Sequence, residues 1–412
     1  MEMNNETGVA KGILAPKGFE AAYTSAGIKK NNALDMALIY SETPCIAAGT
    51  FTRNRVFAAP VQWDRGLIQT SPCFNAIVVN AGVANACTGE KGLQDCKDTA
   101  EAVAKNISCN PENVLICSTG VIGANLPMDK IKSGIEAMAK TLSSNPENGH
   151  GAAKAIMTTD TRPKEVSITV DIDGTPVTIG GMCKGAGMIH PNMATMLCFV
   201  TTDVLIKKKL LTTAFKEVID DSFNMISVDG DTSTNDTAIV LANGKAENKI
   251  IDSKNESYET FKRALGHVCT ELAKMIAGDG EGCTALIEAT VCNAKTRDDA
   301  RTLAKSIVTS SLTKAAVFGH DANWGRILAA MGYSGVDFDP EIVDIFVSSN
   351  NGRLQLVKDG IATDYSEDEA TSILSGNPVI ITADIKKGGE TATAWGCDLT
   401  LEYVKINADY RS

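Results

Sequence analysis

The stretch KGAGMIHPNMATMLCFVTTD, Lys184 to Asp203, combines a lysine, closely spaced glycines, a Pro-Asn pair and, at the head of an apolar run, a single threonine, Thr195. A threonine hydroxyl is a weak nucleophile until a base lies within hydrogen-bonding reach. An α-amino group is such a base, since its ordinary pKa of about 8 leaves a neutral fraction at pH 7. Thr195 is internal, so this chemistry requires the bond after Ala194 to be broken first. The Thr195 hydroxyl could break it by attacking the Ala194 carbonyl, giving an ester that water hydrolyses. Small Ala194 and a turn set by Pro191 and Asn192 suit the strained peptide such an attack needs. The same residues also read as a plain buried strand in which Thr195, Leu197 and Phe199 alternate with Met196, Cys198 and Val200. Spacing alone leaves both readings open.

Other chemistries lose support. No G-x-x-x-x-G-K-[ST] phosphate loop occurs, and GAGMIH (185–190) lacks the third glycine of a dinucleotide fingerprint. H-E-x-x-H and G-x-S-x-G are absent, which removes the local anchors of zincins and α/β-hydrolases. The twelve cysteines contain no C-x-x-C pair, and His150, His190, His267 and His320 stand apart from them, so no metal site is expected. Cys45, Cys73, Cys117, Cys198 and Cys283 lie in apolar runs and read as small buried hydrophobes in a reducing compartment. A formal net charge of -11 argues against a nucleic-acid partner. The first residues, MEMNNETGVAKGILAPKGFE, lack the parts of a signal peptide, and no run approaches the roughly 18 apolar residues of a membrane span. A cytoplasmic protein is the expectation.

The elements that must position these residues are strands interleaved with helices. With 412 residues, 44% hydrophobic and 22% charged, the chain has the makings of two or three packed units. Strands are expected at 38–41, 76–80, 114–119, 166–171, 197–203, 237–243 and 285–291, where β-branched runs are bounded by Gly, Asn, Asp or Pro. VSITVDIDGTPVTIGG carries an Asp-Gly turn between alternating runs and predicts an antiparallel hairpin. Phe261, Leu265, Val268, Leu272 and Met275 recur at helical spacing, and Gly278 ends that helix. DKIKSGIEAMAKTL and DDARTLAKSIVTSSLTKAAV each read as one amphipathic helix, and KKK at 207–209 as a solvated helix start. Beyond about 283 longer strands take over, including ATAWGCDLTLEYVKI. A boundary is placed at the glycines of 278–282, giving a catalytic domain 1–282, a C-terminal domain 283–400 and a tail 401–412.

GMCKGAGMIHPNMATML resembles the cleavage and nucleophile motif of the glutamate N-acetyltransferase (ornithine acetyltransferase, arginine biosynthesis bifunctional protein) family. The resemblance spans nearly the whole chain: GIKKNNALDMALI, AAGTFTRNRVFAAPV, NAGVANACTG (80–89), STGVIG (118–123), MTTDTRPK (157–164), SVDGDTSTNDT (227–237), GDGEG, FGHDANWGRI (318–327) and INADYRS follow in order. It implies a mixed α/β fold, a layered sandwich of the self-processing aminopeptidase/esterase type with a smaller C-terminal α/β domain. It implies cleavage between Ala194 and Thr195 into an α chain of 1–194 and a β chain of 195–412, assembled as a heterotetramer of two α and two β. Thr195 becomes the nucleophile, Thr119 and Gly120 match the oxyanion pair, and Thr158, Lys184, Thr195, Glu281, Asn407 and Ser412 match the substrate contacts. A Ser-Thr-Gly turn after a strand can aim a hydroxyl and an N–H at a developing oxyanion, worth roughly 3 kcal/mol per donor.

The implied reaction is ping-pong transfer of the acetyl group from N2-acetyl-L-ornithine to L-glutamate through an acetyl-Thr195 ester, with no metal or organic cofactor. Family members differ in whether they also take acetyl-CoA, and the sequence leaves that open. Ala186, His190, Ala81, Val83, His320 and Ala322 depart from the usual motifs and bear on substrate preference rather than reaction class; His190 is expected to pack or face solvent. Two alternatives stand beside this reading: a self-processing aminopeptidase or amidase of the related type, with water as acceptor, and a non-catalytic metabolite-binding protein.

Overall fold

The computed structural model of the chain describes residues 12–190 and 196–408. In chain order the strands are β1 (Phe19–Thr24), β2 (Met36–Phe51), β3 (Phe74–Val83), β4 (Val114–Val121), β5 (Lys164–Ile172), β6 (Thr175–Lys184), β7 (Leu197–Thr202), β8 (Ile226–Ser227), β9 (Thr237–Ala242), β10 (Leu286–Ala294), β11 (Asp344–Ser349), β12 (Gly352–Lys358), β13 (Ile361–Ala362), β14 (Val379–Asp384) and β15 (Glu390–Cys397). The fold is mixed α/β with two sheets. Two compact units emerge: described residues within 1–185, 192–219 and 232–272 form the first, and those within 186–191, 220–231 and 273–412 form the second. Each of the seven sequence-predicted strands is found, in β2, β3, β4, β5, β7, β9 and β10. Among the described residues no helix is long and apolar enough to cross a membrane.

The first unit is built on a sheet ordered β4-β3-β2-β9-β7-β6-β5, with β1 pairing β2. Side chains alternate between its faces because a strand has period two. Ala37, Ile39, Ile77, Val79, Leu115 and Cys117 enter one core cluster with Ala152, Ala153 and Ala155 of the helix Pro146–Ala155. Met36, Leu38, Ala76, Val78, Val114 and Ile116 enter another with Cys96, Ala100 and Val103 of the helix Gly89–Ile107 and Ile131, Ile135 and Met138 of the helix Met128–Ala139. The central strands are thus buried on both faces, and each large side chain so enclosed contributes about 1.5–3 kcal/mol. The Asp-Gly hairpin joins β5 to β6, with Ile172 opposite Thr175. Asp173 (φ 53) and Gly174 (φ 83) supply the two positive φ angles that a tight primed turn needs.

The second unit carries a sheet ordered β13-β12-β11-β14-β10-β15-β8. Ile287, Ala289 and Val291 of β10 are buried, as are Ala300, Leu303, Ala304, Ile307 and Val308 of the helix Arg297–Thr309.

Three sequence readings need correction. DDARTLAKSIVTSSLTKAAV is two helices, Arg297–Thr309 and Ser311–Phe318, because Ser310 adopts ψ 112 and its side chain accepts from Thr313 N as an N-cap. ATAWGCDLTLEYVKI is a strand only to Cys397. Asp398 then accepts from Thr284 N at 2.8 Å and Thr400 Oγ1 accepts from Tyr403 N at 3.2 Å, opening the helix Leu401–Ala408. Cys45, Cys117 and Cys198 are buried as expected, whereas Cys73 and Cys283 are only half-buried.

Candidate active site

Strand β4 is an edge strand whose buried part, Val114 to Ser118, delivers Thr119 and Gly120 half-exposed at its end. Its far edge is not left open. Ile116 N donates to the buried Asp64 carboxylate at 2.8 Å, and Trp63 Nε1 donates to Val114 O at 3.2 Å. On the inner side β4 runs parallel to β3, pairing Asn80 with Ser118, Ala81 with Thr119 and Gly82 with Gly120. Ser118 Oγ donates to Asn80 Oδ1 at 2.6 Å, while Asn235 Nδ2 donates to Ser118 O at 2.8 Å and to Ala84 O at 2.5 Å. Gly120 has φ 131, and a Cβ there would run into the Gly82 carbonyl. Only glycine lets the two backbones meet so closely.

Lys184 ends β6, where the antiparallel register sets it opposite Leu197 of β7. Its ammonium donates to Thr158 Oγ1 at 2.7 Å and reaches Thr119 Oγ1 at 3.5 Å. Three sequence-predicted residues from distant segments therefore converge within the first unit.

Asp160, a residue that motif reading passed over, holds this cluster. Its side chain is 0% exposed and lies 2.6 Å from Lys164 Nζ and 4.0 Å from Lys184 Nζ. It also accepts from Thr158 N at 3.0 Å and Gly185 N at 2.6 Å. Burial would raise its pKa, but Lys184, Lys164 and these donors bring it down to about 2. Nearby Lys29 donates to Leu34 O, Ala155 O and Met157 O, and burial pushes its pKa down to about 8. Asp160 and Lys164 both lie in MTTDTRPK and Asn235 in SVDGDTSTNDT, so the motifs were visible while these roles were not.

In the second unit, Glu281 is 6% exposed and its Oε2 accepts from Asn407 Nδ2 at 2.9 Å. Asn407 is thus tied to Glu281. Glu281 N donates to Ala186 O at 2.9 Å, and a Cβ on Gly187 would collide with the Glu281 carboxyl. Asp229 accepts from Met188 N at 2.6 Å and Ile189 N at 2.8 Å, fixing the backbone at those two residues. His190 is half-buried, with Nδ1 3.1 Å from Ser227 Oγ, so it packs as expected. Burial, helped by Lys305, lowers its pKa to about 4 and keeps the ring neutral near pH 7. Ala194, Thr195 and Ser412 lie outside the described residues.

The Thr119 hydroxyl, the Gly120 N–H and the buried Lys184 ammonium form a grouping whose chemistry suits stabilising charge on a carbonyl oxygen. Known proteins align with the chain along most of its length. It is 52% identical over 394 residues to the arginine biosynthesis bifunctional protein ArgJ 1 of Clostridium acetobutylicum, covering 96% of each chain. It is 47% identical over 405 residues to the glutamate N-acetyltransferase of Methanocaldococcus jannaschii, covering 97% of this chain and 98% of the other. Among solved structures it is similar to arginine biosynthesis bifunctional protein argJ from Bacillus halodurans, with 45% identity, coverage of 51% of this chain and 97% of that one, and a TM-score of 0.49. The ArgJ family model matches residues 20–412. The chain belongs to the ArgJ family.

Proposed function

We propose that this chain is a glutamate N-acetyltransferase that passes the acetyl group of N2-acetyl-L-ornithine to L-glutamate. In this reading the chain cuts itself between Ala194 and Thr195. The freed α-amine of Thr195 then takes the proton from its own hydroxyl as that oxygen attacks the acetyl carbonyl. The oxyanion receives the Thr119 hydroxyl and the Gly120 N–H, ornithine leaves, and glutamate takes the acetyl group from the Thr195 ester.

The observation that carries the reading is the convergence of Lys184, Thr158 and Thr119 through contacts of 2.7 and 3.5 Å. Lys184 supplies a cation of the sign a substrate carboxylate requires, and Glu281 a carboxylate of the sign an ammonium requires. Thr158, Asn407 and Ser412 complete the proposed contacts. The relatives' names support the same reaction. The reading also carries an α2β2 assembly of 1–194 and 195–412, work in the cytoplasm, and acetyl-CoA as a second donor to be assayed.

Incubation with N2-acetyl-L-ornithine and L-glutamate tests it. Formation of N-acetylglutamate with free ornithine is the expected result. Free acetate alone, or peptide cleavage alone, would favour the aminopeptidase or amidase alternative.

A further inference from the structure

The segment GIKKNNALDMALI contains a lysine, Lys29, that the mechanism above does not use. It is half-buried, and its ammonium donates to three backbone carbonyls: Leu34 O at 2.8 Å, Ala155 O at 3.3 Å and Met157 O at 2.6 Å. A lysine ammonium carries three N–H groups, so these bonds engage all of them and leave none for a substrate. Ala155 ends the helix Pro146–Ala155, where carbonyls lack partners within the helix and the negative end of its dipole attracts a cation.

The Met157 carbonyl and the Thr158 N–H belong to one planar peptide unit. Lys29 holds that unit at its oxygen, and the buried Asp160 carboxylate holds it at its nitrogen, at 3.0 Å. The Thr158 side chain leaves from this pinned unit, and its Oγ1 accepts from Lys184 at 2.7 Å. Lys29 is itself fixed from the other side. The Asp35 carboxylate, fully buried, accepts from Ala26 N and Ile28 N at 2.6 Å and from Lys29 N at 3.1 Å. The Asp35 carbonyl accepts from Ala81 N of β3 at 2.8 Å. A Cβ on Gly82 would lie 3.3 Å from Lys29 Cγ, so the lysine stem runs beside the glycine that pairs with Gly120. Lys29 therefore spans from the end of β3 to the segment that carries Thr158.

We infer that Lys29 is a positioning residue for the substrate site: its ammonium holds the Met157 carbonyl, and through that peptide unit it sets Thr158 where its hydroxyl meets Lys184. Without this bond the unit is held at its nitrogen end only, and Thr158 and Lys184 lose their fixed geometry. The inference rests on the proposed acetyl transfer, in which Thr158 and Lys184 are substrate contacts.

Lys29→Met keeps the apolar stem and removes the three donors. Initial rates are measured per folded chain with saturating L-glutamate and varied N2-acetyl-L-ornithine. KM for N2-acetyl-L-ornithine should rise about fivefold or more with kcat within about threefold, the pattern of lost binding. A lysine that served only stability would lower the amount of folded protein and leave KM alone. A KM within about twofold of the unaltered chain thus overturns the inference while the acetyltransferase reading stands. Because Lys29 acts through Thr158, adding Lys29→Met to Thr158→Ala should raise KM less than about twofold further; effects that multiply in full overturn it. If Lys29→Met does not fold, Lys29→Gln keeps two N–H groups without the charge; a KM raised about threefold supports the inference and an unchanged KM overturns it. An unaltered chain that forms no N-acetylglutamate overturns both the inference and the reading beneath it.

Discussion

At the scale of single residues, the candidate site depends on groups whose replacement has a calculable sign. Gly120→Ala would force a Cβ into the Gly82 carbonyl at φ 131. It should cost roughly 2–4 kcal/mol in denaturant unfolding and abolish transfer, because β4 must move away from β3 to accept it. Asp160→Asn removes the charge shared by Lys164 and Lys184. The Asp160 pKa is about 2 in the fold against an ordinary 3.8, so the folded chain gives up that proton at lower pH than the unfolded one. Its contribution is present above about pH 4 and is lost as pH falls towards 2. The unaltered chain should therefore exceed Asp160→Asn by about 2–3 kcal/mol at pH 7, with the gap closing in acid; a gap independent of pH would contradict this. Thr119, Gly120, Thr158 and Lys184 were legible in the sequence through their motifs. Asp160 was not, since an aspartate among threonines reads as loop chemistry until its burial and partners are known.

At the scale of elements, strands were legible wherever apolar residues alternated, as in β5, β6 and β10. The central strands β3 and β9 were legible as continuous apolar runs, as expected for strands covered on both faces. Boundaries set by one hydrogen bond were less visible. Ser310 interrupts an unbroken helical period, and only its ψ of 112 and the bond from Thr313 N reveal two helices. Ser310→Ala should destabilise the chain by about 1 kcal/mol in thermal or denaturant melting, the worth of an N-cap. A neutral substitution would mean that water or a neighbour caps that helix equally well. Likewise LEYVKI follows directly on a strand run but forms a helix, because Asp398 and Thr400 end β15 and open the next turn.

At the scale of the whole molecule, the second unit takes in 186–191 and 220–231 as well as everything after 272. Such interleaving depends on contacts between distant segments, and no composition shift marks it; the glycines at 278–282 were the strongest local punctuation. The chain passes from the first unit to the second between Gly185 and Ala186, shortly before the proposed cleavage point. Thr195→Ala should leave one uncut, inactive chain by intact-mass analysis, and Thr195→Ser should retain partial cutting. Efficient cutting of the alanine variant would remove Thr195 from the mechanism. The central claim is most directly tested by the mass of the 195–412 chain after exposure to N2-acetyl-L-ornithine without glutamate. The account predicts the gain of one acetyl group on Thr195, discharged as N-acetylglutamate when glutamate is added. A chain that turns over both substrates while its mass never changes, even under rapid quench, would contradict it.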